Sequence, residues 1–197
     1  MKLNWAERMA VNNPLRPLQQ RLEMSWYRKR IKLPEEAHIL EIGCGRGAGA
    51  LLIKRVFRPD HIYAMDLDID MVQKSGSYLK PAQREGISFL VGDATALPFG
   101  DLVMDAVFGF GVLHHIPDWQ AAMDEIVRVL KKGGIYCFEE LYPPLYRNFI
   151  TRHILLHPLE NRFDSETLKK TMAASGLVMG NYLESRHLEI LGYATKR

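Results

Sequence analysis

The sequence predicts a doubly wound α/β domain with a mainly parallel sheet. Three observations carry that expectation. Short apolar runs alternate with segments of helical period from residue 38 to residue 140. A glycine-rich turn stands where the first run gives way to the first helix. Acidic residues then close two of the following runs, Asp66 and Asp93. Strands alternating with helices require right-handed crossovers, which build a parallel sheet covered on both faces.

The elements follow in order. Over 15–30, Leu15, Leu18, Leu22, Trp26 and Tyr27 recur at three- to four-residue intervals, which predicts an amphipathic helix with these residues along one face. Pro34 breaks the chain before a strand over 38–42. A helix is expected over 48–57, ended by Arg58-Pro59-Asp60, then a strand over 61–65 and a helix over 68–79 with Asp68 as its cap. Strands over 87–91 and 106–110 come next. A helix over 119–130 and the turn Lys131-Lys132-Gly133-Gly134 lead into a fifth strand over 134–140. Residues 142–163 are rich in Pro, Tyr, His and Arg, show no period, and read as an insertion folded over the site. Asp164 caps a helix over 167–175 that Gly176 ends. Runs over 177–184 and 187–194 are close enough to pair as an antiparallel hairpin at the sheet edge.

Composition narrows the function. The chain has 197 residues, 47% hydrophobic and 25% charged, which suits one domain with a real core. No apolar run approaches the roughly 20 residues that span a bilayer, and residues 1–30 lack the apolar stretch of a secretory signal, so a cytoplasmic protein is expected. The two cysteines, Cys44 and Cys137, have no metal-ligand spacing and are expected as reduced thiols; no metal is expected. A formal charge of +3 does not call for a nucleic-acid partner. The densest basic patch, Arg28-Lys29-Arg30, ends a helix, where its dipole favours cations.

Three segments carry chemistry. Leu40-Glu41-Ile42-Gly43-Cys44-Gly45-Arg46-Gly47 lies at the first strand-to-helix turn, where glycines let the backbone approach a ligand closely. Gly43, Gly45 and Ala48 also satisfy the looser dinucleotide fingerprint, and a ligand-free tight turn is the bland reading. Asp66 lies about 20 residues past the loop, where an acid accepts from ribose hydroxyls. Asp93, in Val91-Gly92-Asp93-Ala94, can accept from an exocyclic amine or merely order its own loop as an Asx-turn.

Together with Asp105-Ala106-Val107, Leu113-His114-His115 and Arg128-Val129-Leu130-Lys131-Lys132-Gly133-Gly134, these elements resemble the class I methyltransferases. The resemblance is to the small-molecule, type 11 group that includes ubiquinone and menaquinone biosynthesis methyltransferases, and it runs from His38 to Glu140. It implies a Rossmann-like, seven-stranded sheet with an antiparallel C-terminal strand, and S-adenosyl-L-methionine as cofactor. Residue by residue, it implies that Glu41, Gly43, Cys44, Gly45 and Gly47 wrap the methionine part and that Asp66 holds the ribose. Leu67 would pack on the adenine, Asp93 and Ala94 would meet its amine, and Phe110 and Gly111 would line the sulfonium region. Family members often carry Pro where Lys132 stands.

Methyl transfer from a sulfonium asks mainly for positioning and a water-poor site. Phe110 and Tyr142 are candidates for a ring near the positive sulfur. Where the acceptor must lose a proton, His114 and His115 are the candidate bases, and shaping the pocket is their alternative role. Apolar and aromatic residues crowding 141–156, with Leu22, Trp26 and Tyr27, point to a small-molecule or lipid-like acceptor. The chain accordingly divides into a helical cap (1–33) and a methyltransferase domain (34–197), with 142–163 as a substrate-side insertion. A cofactor-binding protein without turnover and a nicotinamide oxidoreductase are the competing readings.

Overall fold

The computed structural model describes residues 16–146, 161–185 and 188–197. Leu15 and most of the 142–163 insertion lie outside the described residues. In chain order the elements are α1 (Arg16–Arg28), β1 (His38–Ile42), α2 (Ala48–Phe57), β2 (His61–Asp66), α3 (Ile69–Tyr78), the short α4 (Pro81–Arg84) and β3 (Ile87–Val91). There follow β4 (Met104–Phe110), a 3-10 turn (Leu113–His115), α5 (Trp119–Val129), β5 (Leu130–Leu141), α6 (Pro143–Tyr146), α7 (Ser165–Ala174), β6 (Leu177–Ser185) and β7 (Glu189–Lys196).

The strands form one seven-stranded sheet in the order β3-β2-β1-β4-β5-β7-β6. Pairings among β1 to β5 are parallel, while β7 runs antiparallel to both neighbours. The predicted fold class is therefore the observed one. The C-terminal hairpin enters the sheet with its second strand innermost, leaving β6 as the edge.

Alternation along the strands divides the core between two faces. Leu40, Ile42 and Val107 join Trp119, Met123 and Ile126 of α5 and Leu168 and Met172 of α7. Ile39, Ile62 and Phe108 join Ala50 and Ile53 of α2 with Met24 and Tyr27 of α1. Helix starts obey the expected chemistry: Asp68, Asp118 and Asp164 each accept a backbone N–H from the first turn of the helix they cap.

Two elements depart from expectation. β5 starts at Leu130 rather than Gly134, because Leu130 pairs with Met104 and Ile135 with Ala106, so that 131–134 loop out of the ladder. α1 turns a different face to the core. Gln20, Glu23, Met24 and Tyr27 are buried, whereas Leu18 and Leu22 are 56% and 67% exposed. The cause is the Tyr27 hydroxyl, which reaches the carbonyls of Phe138 (2.8 Å) and Gly192 (3.1 Å) and fixes the helix's rotation. Trp26 packs edge-on against the Tyr27 ring.

Candidate functional site

The strand order reverses direction between β1 and β4, and the crevice beyond their carboxyl ends is where open α/β sheets bind ligands. A cavity of about 440 Å³ lies there. Its walls include Gly43 and Gly45 after β1, Asp66 and Leu67 at the end of β2, Asp93 and Ala94 after β3, and Phe110 and Gly111 at the end of β4. Of the cofactor residues expected from sequence, these eight come together around one space. The rest of the lining includes Met71, Thr95, Val112, Ile116, Pro117 and Asp118, which no motif announced.

Asp66 joins the glycine loop to the β2 loop. Its Oδ2 accepts the Gly45 N–H at 2.8 Å and its Oδ1 the Asp68 N–H at 2.9 Å. Burial pushes its carboxyl above the ordinary value, against those backbone donors. Asp93 Oδ1 accepts from the Thr95 N–H and hydroxyl, so the Asx-turn given as its alternative role forms on a residue that also lines the cavity. Leu67 remains 43% exposed, an apolar surface offered within the cavity wall. Gly45 has φ +54, and a Cβ there would meet only Met71 Cε, at 3.7 Å.

Glu41, Cys44, Gly47 and His114 are not among the cavity-lining residues. Gly47 caps α2 with φ 86. Cys44 is buried and its thiol is held protonated by that burial. Glu41 sits beneath the loop, buried, in the space that Gly49 leaves by having no side chain. Burial raises its carboxyl to about 8, a backbone donor from Ala50 opposes the rise, and the charge of Asp66 adds to it. Gly49 was the overlooked signal for that carboxylate's position.

The histidines separate. His115 lines the cavity. His114 is buried, its Nδ1 2.7 Å from Glu140 Oε2. The Glu140 carboxylate also accepts the backbone N–H groups of Val112, Leu113 and His114 at 2.9–3.3 Å. With the carboxylate accepting throughout, Nδ1–H is the donor. Glu140 thus organises the loop after β4, a role the sequence reading missed. Tyr142 is also elsewhere: it is buried and its hydroxyl is bonded to Glu184 Oε1 at 2.7 Å, leaving Phe110 as the candidate ring in the cavity wall.

Comparison with known proteins agrees with this geometry. The methyltransferase domain family model matches residues 40–138, and the chain belongs to that family. It is 35% identical over 109 residues to a fatty-acid O-methyltransferase of Mycolicibacterium smegmatis, a match covering 55% of this chain and 39% of that protein. It is 34% identical over 106 residues to the phthiotriol/phenolphthiotriol dimycocerosates methyltransferase of Mycobacterium tuberculosis, covering 53% and 38%. The matched region thus spans about two-fifths of those curated relatives. Among solved structures, a Haloferax volcanii chain in complex with the Trm112 methyltransferase activator superimposes with a TM-score of 0.77, at 17% identity, over 99% of this chain and 98% of that one, which is a likeness of fold.

Proposed function

We propose that this protein transfers a methyl group from S-adenosyl-L-methionine to a small, lipid-like acceptor. The observation that carries the reading is that all three sequence signals, the glycine loop, Asp66 and Asp93, line the same cavity. The residues fit the group. Gly45 leaves open space at the loop, Asp66 retains acceptor capacity for ribose hydroxyls, and Leu67 offers an apolar face for a base. A volume of about 440 Å³ lies within the usual range of small-ligand pockets.

When bound, the cofactor supplies an already activated methyl group. The chain's own residues then have positional work. Asp66 and Asp93 orient the nucleoside, Gly43 and Gly45 let the backbone close on the amino-acid part, and Phe110 and Gly111 border the reacting end. His115 is the base where the acceptor must lose a proton, and His114 holds the 112–115 loop through Glu140. The curated relatives' acceptors, by their names, are fatty acids and phthiotriol-type lipids, which supports a lipid-like acceptor here. No helix among the described residues is long and apolar enough to cross a membrane.

Calorimetry with S-adenosylhomocysteine and with NADH tests the cofactor, with binding expected of the first alone. Radiolabelled methyl transfer to extracted lipids and small molecules, beside tRNA, DNA and protein, tests the acceptor. Label in the organic phase is expected; label confined to nucleic acid or protein would overturn the acceptor class.

A further inference from the structure

Gly111 borders the cavity at the end of β4, with φ +70. The point its missing Cβ would occupy is ringed by polar side chains of three elements: Glu139 Oε2 at 3.3 Å, His114 Cε1 at 3.5 Å and Arg16 Nη2 at 3.8 Å. Arg16, from α1, donates to Glu139 Oε2 at 2.7 Å and lies 3.5 Å from Glu23 Oε1. We propose that Arg16, Glu23 and Glu139 form the subsite for the acceptor's polar group, and that the group it takes is a hydrogen-bond donor, a hydroxyl or an amine, rather than a free carboxylate. The inference rests on the methyltransferase reading and adds to it the chemistry of the acceptor.

Three observations support it. First, the guanidinium is already engaged: Arg16 donates to Glu139 Oε2 at 2.7 Å, and the Glu23 carboxyl beside it is raised to about 7 by burial and by the charge of Glu139. A carboxylate entering here meets the Glu139 carboxylate in a poorly solvated place, with the Arg16 cation already taken, where repulsion is weakly screened. Second, Glu23 Oε2 is buried without a hydrogen-bond partner among the described residues, in a side chain only 7% exposed. A buried acceptor atom left unmade is costly, and a ligand O–H or N–H would satisfy it. Third, the cluster is not closed over: Arg16 keeps 18% exposure where Glu139 keeps 4%.

The cluster's placement follows from the docking of α1. Tyr27 anchors that helix to the carbonyls of Phe138 and Gly192, in β5 and β7. The rotation that exposes Leu18 and Leu22 is the one that turns Gln20 and Glu23 inward. A helix that buries an acid and exposes leucines has spent apolar burial on something, and recognition of a polar group accounts for it.

The test is calorimetry of the full chain loaded with S-adenosylhomocysteine, titrated with decanol, decylamine and decanoate, which share an alkyl chain and differ in head group. Decanol or decylamine is expected to bind about tenfold or more tighter than decanoate, the worth of one hydrogen bond to a charged group. Glu23→Gln and Glu139→Gln are each expected to narrow that preference while leaving S-adenosylhomocysteine affinity as it was. Equal or tighter binding of decanoate to the wild type overturns the proposal, and so does binding of none of the three. An unchanged preference in both folded variants does so too. Failure to bind S-adenosylhomocysteine is a separate result, which sinks the methyltransferase reading itself.

Discussion

The carboxylate of Asp66 holds the backbone N–H of Gly45 at 2.8 Å, across the gap between the β1 and β2 loops. The residue expected to grip the ribose therefore also sets the shape of the loop expected to grip the methionine. Asp66→Ala removes both functions. S-adenosylmethionine binding should weaken by about 1.5–3 kcal/mol or more, the usual worth of a hydrogen bond to a charged group, and thermal stability should fall with it as the Gly45 and Asp68 N–H groups lose their acceptor. Asp66→Asn, which keeps one carbonyl oxygen, should retain part of each. Calorimetry and thermal melts on the same preparations check this; wild-type affinity in folded Asp66→Ala removes the residue from the site.

Gly45→Val should abolish cofactor binding in a protein that still folds. A Cβ at this position meets nothing closer than Met71 Cε at 3.7 Å, so the branched side chain is accommodated by occupying the cavity. The φ of +54 adds strain of about 1–3 kcal/mol for a non-glycine residue. Circular dichroism establishes the fold, and retained binding would contradict the role of the loop.

What was legible in the sequence was whatever depends on local pattern. The strands β1 and β3 and the helix α2 fall where apolar runs and breakers put them, and Asp68 and Asp164 cap helices as their spacing implies. The acids at the ends of β2 and β3 could be assigned to one edge of the sheet because parallel strands end on the same side. Contacts between distant segments were not legible. The rotation of α1 depends on where the Tyr27 hydroxyl finds carbonyls more than a hundred residues away, and periodicity alone grouped Leu18 and Leu22 with Tyr27 although they face outward. The service of Glu140 to the loop after β4 is equally non-local. Lys131 to Gly134 kept its turn but lay inside a longer strand, since pairing resumes on both sides of the excursion.

Glu41 gives a pH prediction. Its carboxyl stands at about 8 in the fold against an ordinary 4.5. The native state therefore holds a proton that the unfolded chain has released between these values. The stability linked to this group is complete below about pH 4.5 and is lost as pH rises through about 8, at up to roughly 1.4 kcal/mol per pH unit. Glu41→Gln, which imitates the neutral acid, should flatten that decline, matching the wild type near pH 5 and exceeding it at pH 9. Chemical denaturation across pH 5–9 on both proteins measures the difference; parallel curves would show that Glu41 is ionised in the fold.

The last prediction separates the two histidines. His115 borders the cavity and His114 does not. His114 instead stands against the buried Glu140, which also serves the N–H groups of Val112, Leu113 and His114. Glu140→Ala strands those donors and the imidazole together and should cost about 3 kcal/mol or more of stability, since each buried donor left unmade costs about 1–3 kcal/mol. His114→Ala leaves the backbone donors to Glu140 and should cost less, about 1–3 kcal/mol. His115→Ala should leave the fold nearly unchanged and, where the acceptor gives up a proton, lower kcat by about 10²–10⁴, the usual contribution of a general base. The measurement is denaturation and methyl-transfer kinetics on all three variants with one acceptor. If His115→Ala keeps wild-type kcat and His114→Ala loses it at unchanged stability, the base is the buried histidine, and Glu140 acts on the chemistry rather than on the loop.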